Sequence, residues 1–95
     1  MQGRRSPSRA ALEGAHSFPG EYVIKAFGPG RGDFARRAQA CAHAELHEAR
    51  VVVHERASRT GKQTCVTLTL QVTRVEEVER IYERLHDLHD LLLIL

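Results

Sequence analysis

The order of hydropathy periods along this chain predicts an α+β domain built in the order β-α-β-β-α-β. Three observations carry the prediction. Residues 64–72 alternate strictly, with Val66, Leu68, Leu70 and Val72 on one side and Cys65, Thr67, Thr69 and Gln71 on the other. That is the period of a half-buried strand. A turn signal, Arg59-Thr60-Gly61-Lys62, stands directly before it, and Gly61 can supply the positive φ that a hairpin loop needs. After it the spacing becomes helical, with Val75, Val78, Ile81, Tyr82 and Leu85 on one stripe.

The remaining elements follow in order. Residues 1–16 are polar, rich in Arg and Ser and interrupted by Pro7, a composition expected of a disordered arm. A single domain over 17–95 is then expected. Glu21–Phe27 is β-rich and sets Tyr22, Ile24 and Ala26 against Val23, Lys25 and Phe27. Gly28-Pro29-Gly30-Arg31-Gly32 breaks that strand. Asp33 is a good N-cap, its carboxylate placed to accept an orphan backbone N–H, for a helix from Phe34 to about Leu46. The buried face of that helix is expected at Phe34, Ala38, Cys41 and Ala42. A second strand covers about Ala49–Ala57, with Val51 and Val53 inward. Thr73 and Glu76 have the spacing of a capping box for the second helix. Leu91–Leu95 reads as the last strand, with Leu91, Leu93 and Leu95 toward the helices.

Two helices can share one face of a small sheet when both crossovers are right-handed. The expected architecture is therefore the ferredoxin-like βαββαβ sandwich: a four-stranded antiparallel sheet, its first and third strands central, with two helices on one face.

Composition excludes several function classes. The chain has 95 residues, is 42% hydrophobic and carries a formal charge of +2. Arg4, Arg5 and Arg9 against Glu13 hold that excess in residues 1–16, leaving 14 − 3 = 11 basic and 12 − 1 = 11 acidic side chains beyond. A neutral domain is not the footprint of a strongly basic nucleic-acid binder. An RNA-binding domain of this topology is an alternative function; it would stack bases on aromatics of its central strands, where Cys65, Thr67, Thr69 and Gln71 offer none and Phe27 stands alone. Two cysteines, Cys41 and Cys65, are too few for a disulfide framework. With no apolar h-region and no long apolar run, a cytoplasmic protein is expected.

Taken in order, Phe18-Pro19, Tyr22 through Lys25 to Gly28, Ser58 to Gly61-Lys62, Val66-Thr67, Thr73 to Glu76-Glu77, Tyr82, Leu85 and Leu95 resemble the YbeD-like bacterial family. This is a family of unknown function, similar in fold to the ACT regulatory domains. The resemblance covers about 18–95. Gln63 stands where the family often has an aromatic residue, and Cys65 where it often has Ser. The resemblance implies a regulatory or protein-interaction role without catalysis. A link to lipoate metabolism has been suggested for the family, and no residue here argues for it.

Candidate chemistry is sparse. His43 and His47 lie one helical turn apart, but the intervening Glu45 is misplaced for a metalloprotease helix and no third ligand follows. His86-Asp87-Leu88-His89-Asp90 falls where a helix ends, a position the macrodipole favours for histidine. No metal or other cofactor is expected. A small enzyme using Cys65 with His54 as base is an alternative, without a third group to orient the histidine. Arg31-Gly32-Asp33 spells an adhesion tripeptide by coincidence.

The candidate binding residues are Lys25, Gly28, Gly30, Arg31, Gly32, Arg50, His54 and Arg56. Gly28, Gly30 and Gly32 precede a helix N-terminus, where free N–H groups can hold an anion. Lys25, Arg50, His54 and Arg56 are expected on the open sheet face, with no acidic residue of the first three strands beside them. An acidic effector or an acidic protein patch is the expected partner. Val23, Phe27, Val52, Leu92 and Ile94 are expected to leave an apolar area on that face, which a homodimer would cover.

Overall fold

The computed structural model describes residues 6–15 and 17–95. Its elements are α1 (Arg9–Ala15), β1 (Gly20–Pro29), α2 (Phe34–His43), a 3₁₀ turn (Glu48–Arg50), β2 (Val51–Ala57), β3 (Gln63–Val72), α3 (Val75–His86) and β4 (Leu93–Ile94). The four strands form one antiparallel sheet in the order β2-β3-β1-β4. The fold is the expected ferredoxin-like α+β type, with strands one and three central.

The core lies between the sheet and the helices. Ile24, Ala26, Val66, Leu68 and Leu70 from the two central strands are wholly buried. They meet Phe34, Ala38, Cys41 and Ala42 of α2 and Val78, Ile81, Tyr82 and Leu85 of α3. The alternation of β1 and β3 supplies one apolar side, and the helical stripes supply the other. Burying each large aliphatic side chain is worth about 1.5–3 kcal/mol. Val53, expected in the core, is only half-buried, because β2 is an edge strand that the helices do not fully cover.

Five details differ from the sequence reading. Residues 9–15 form a helix, so a disordered arm does not describe them. Residues 1–5 and 16 of that arm lie outside the described residues. Ser8 Oγ accepts the Ala11 N–H at 3.1 Å to start α1, Leu12 is 1% exposed within the core, and Arg9 bonds Glu79 of α3 at 2.6 Å. The helix layer therefore has three members.

The first predicted helix is shorter than expected. Regular α2 ends at His43, and His47 Nδ1 instead accepts the Ala49 N–H at 3.2 Å, capping the 3₁₀ turn. Asp33 is the N-cap by position, but its carboxylate makes no capping bond. It accepts from Arg36 at 3.1 Å and Arg37 at 2.8 Å.

At the start of α3 the cap is Arg74 and the capping carboxylate is Glu77, one residue later than the expected pair. Glu77 Oε1 accepts the Thr73 N–H at 2.7 Å and the Arg74 N–H at 3.3 Å. A carboxylate here satisfies orphan donors and faces the positive end of the helix dipole.

The last strand is shorter than expected, Leu93–Ile94, and from Leu93 on it has the opposite parity to the one expected, while Leu91 and Leu92 lie as expected. Leu91 and Ile94 are buried, while Leu92 and Leu95 are 45% and 61% exposed. Leu93 is the register partner of Phe27, yet the Leu92 N–H donates to the Phe27 carbonyl at 2.8 Å. Two residues thus oppose one, as in a β-bulge, and the inward set is offset to Leu91 and Ile94.

Candidate functional site

The open face of the sheet is a set of rows read across the strands. Arg56, Cys65, Phe27 and Leu93 form one row. His54, Thr67 and Lys25 form the next, and Val52, Thr69 and Val23 a third. Lys25 and Leu95 exchange both backbone bonds, at 3.1 and 2.8 Å, which brings Leu95 to the end of the second row. Side-chain alternation puts all of these opposite the helices. Lys25, His54 and Arg56 are therefore brought together as the sequence suggested, and all three are exposed. Beside them lie four exposed large apolar residues: Val23 (42%), Val52 (66%), Leu92 and Leu95. A shallow groove of about 230 Å³ runs along Phe27, Cys65 and Arg56 toward the β2–β3 turn.

Arg50 does not join this cluster. It lies in the 3₁₀ turn and reaches around the sheet to α3, where its Nη2 bonds Glu77 Oε1 at 3.0 Å and its Nε donates to the Gln71 carbonyl at 2.8 Å. Its charge is therefore committed to closing the fold. Burial would push the Glu77 carboxyl up, but the Thr73 N–H, the Arg50 guanidinium and the Arg74 N–H outweigh it and hold it below the usual carboxylate range. The open face also holds an acidic residue after all. Glu21 is the register partner of Gln71 and accepts from its side-chain amide at 3.4 Å. It shares the alternation of Val23, Lys25 and Phe27, so the first-strand period already contained it.

The glycine loop has a packing requirement of its own. A Cβ on Gly28 would collide with the Phe34 ring, and one on Gly30 with the Gly61 carbonyl. The Gly30 N–H is spent on the Lys62 carbonyl at 2.9 Å. Gly32 has φ 92°, and Gly61 φ 74° meets the hairpin expectation. Arg31 is exposed in this loop. The loop connects β1 to α2, and the Gly30 bond ties it to the β2–β3 turn.

Other sequence candidates are placed as follows. Arg56, rather than His54, is the register partner of Cys65, and His54 faces Thr67. Cys41 is buried, and burial raises its thiol pKa, which disfavours the nucleophilic thiolate. Among the described residues no group of three or more His, Cys, Asp or Glu side chains is placed to hold a metal ion. Glu45 bonds Arg84 at 2.8 Å. Asp90 forms a two-bond pair with Arg37, at 2.6 and 3.0 Å, tying α2 to the segment before β4. That bond holds the Asp90 carboxyl below its ordinary value against the opposing effect of burial. No helix among the described residues is long and apolar enough to cross a membrane.

A ferredoxin-like α+β domain with a mixed basic and apolar open face defines the class. The chain belongs to a family of proteins of unknown function, DUF493, whose family model matches residues 13–95. The match begins within α1, so the family region includes part of that helix. No match was found among curated proteins.

Proposed function

We propose that this chain is a small non-catalytic regulatory or protein-interaction module whose open sheet face takes an acidic protein surface. The observation that carries the reading is the juxtaposition of Lys25, His54 and Arg56 with exposed Val23, Val52, Leu92 and Leu95 on one face. Small metabolites usually occupy concave sites that enclose most of their surface, and a broad sheet face suits a protein patch better. The positive groups steer an acidic partner, and the apolar residues supply the area that is buried. The resemblance to YbeD-like and ACT-like domains supports a regulatory role, in a cytoplasmic bacterial setting.

The test is a titration of the isotopically labelled protein with a blocked peptide of alternating Glu and Leu, followed by amide NMR shifts. Shifts should gather at Val23, Lys25, His54, Arg56 and Thr67, and weaken with salt. Changing Lys25 and Arg56 together to Ala should lower affinity about threefold to tenfold, the worth of two exposed charges. An unchanged affinity and salt slope in the double variant would remove the basic face as the site.

A second reading, a homodimer through the same face, is favoured by the four exposed apolar residues clustered there. Sedimentation equilibrium should then show dimers at high micromolar concentration, lost on changing Val52 and Leu95 to Ser. Monomers throughout would dismiss it.

A further inference from the structure

The two edges of the sheet are unequal. β4 is two residues long, whereas β2 runs for seven, Val51–Ala57. The Ser58 N–H donates to the Gln63 carbonyl at 2.8 Å. With antiparallel alternation in the observed register, Arg56, His54 and Val52 then bond to β3, and Val53, Glu55 and Ala57 turn their N–H and C=O groups outward. The Val51 N–H is already taken by the Glu48 carbonyl in the 3₁₀ turn.

That edge borders a groove of about 790 Å³ between β2 and α2. Val51 and Val53 line it from the strand, and Ala35, Gln39 and His43 line it from the helix. Its charge is predominantly acidic. Asp33, Glu48 and Glu55 line it against Arg36, and Asp33 is already paired with Arg36 and Arg37. Among the described residues neither Glu48 nor Glu55 has a basic partner; Glu55 accepts from the Thr64 hydroxyl at 2.8 Å. Outward backbone groups beside a groove under a helix are what an extended peptide needs to add itself to a sheet, with alternate side chains entering the groove.

We propose that the β2 edge and the α2–β2 groove form a docking site for an extended, basic segment of a partner protein, which adds to the sheet as a fifth strand. Backbone bonds to Val53 and Glu55 set its register. Glu55 alternates with Val51 and Val53 on the groove side, so the partner's groove-facing side chains, at every second position, are apolar opposite Val53 and Lys or Arg where they meet Glu48 and Glu55. This site is separate from the open face and opposite to it in charge preference.

The probe is the blocked seven-residue peptide Thr-Lys-Thr-Val-Thr-Lys-Thr (Val/Lys), whose Lys, Val and Lys side chains share one face, with Thr-Asp-Thr-Val-Thr-Asp-Thr (Val/Asp) as control. Amide exchange is read by NMR on the full chain. Near nine-tenths saturation the Val/Lys probe should slow exchange at Val53 and Glu55 roughly tenfold, since only unoccupied molecules exchange freely. The Val/Asp probe should not. Glu48→Lys combined with Glu55→Lys should reverse that preference, and backbone N-methylation of the Val/Lys probe should abolish the protection. No protection at Val53 and Glu55, or equal protection by the two probes, would overturn the proposal. So would protection in the probe-free protein that grows with its concentration, because a second copy would then hold the edge.

Discussion

Tyr22 of β1 and Tyr82 of α3 meet inside the core with their hydroxyl oxygens 3.0 Å apart and their rings edge-to-face, the centroids separated by 6.2 Å. Both side chains are buried. A sheet residue and a helix residue sixty positions apart thus satisfy a polar group where water is excluded. Burial, reinforced by the Tyr22 hydroxyl, pushes the Tyr82 phenol far above its ordinary pKa. Tyr82→Phe should cost about 1 kcal/mol, the usual net worth of an internal hydrogen bond, read as a lower urea midpoint with unchanged slope.

The same pair predicts alkaline instability. The folded state holds the Tyr82 proton more tightly than the unfolded chain does. Its contribution is therefore complete below about pH 10, the ordinary phenol value, and declines as pH rises beyond it. Urea midpoints measured at pH 9 and pH 11 should fall more steeply in the parent than in Tyr82→Phe. Parallel declines would show that the phenol does not control this limb.

Glu77 governs the acid side. Its folded pKa lies below the unfolded one, so its contribution is complete above about pH 5 and is lost as pH falls through the carboxylate range. The carboxylate serves the α3 N-terminus and Arg50 together. Glu77→Gln should cost about 1.5–3 kcal/mol at pH 7, the range for hydrogen bonds to a charged group, and much less at pH 3. The comparison of chemical denaturation at those two pH values checks it; an equal penalty at both would assign the loss to packing.

Leu68 and Thr67 test the strand register. Leu68 is fully buried between Ile24 and Val53, while Thr67 stands on the open face between Lys25 and His54. Leu68→Ala should cost about 2–5 kcal/mol, a transfer and cavity penalty. Thr67→Ala should stay within about 0.5 kcal/mol, as for surface substitutions generally. Equal shifts in the urea midpoint would mean the faces are exchanged.

Local periodicity by itself determined most of the framework. The alternation of Val66, Leu68, Leu70 and Val72, the stripe Phe34, Ala38, Cys41 and Ala42, and the turn at Gly61 all stand in the structure as the residues imply. Such signals need only neighbours within one strand or one to two helical turns. Lys25, His54 and Arg56 could be grouped for the same reason, since strand parity assigns each to a face.

Tertiary structure decided what depended on distant partners. Arg50 turned from the open face because Glu77, 27 residues away, offers it a carboxylate. Arg37 took Asp90, 53 residues on. Leu12 and Arg9 gave α1 a place against α3 that a polar composition did not announce. The parity of Leu91–Leu95 was set by a bulge opposite Phe27, and a run of apolar residues cannot reveal its own offset. The groove beside β2 exists because α2 leaves Val53 half-covered. Periodicity tells a residue which way to face, but the choice among possible ion pairs, and the gaps between packed elements, arise only when segments far apart in the chain are brought together.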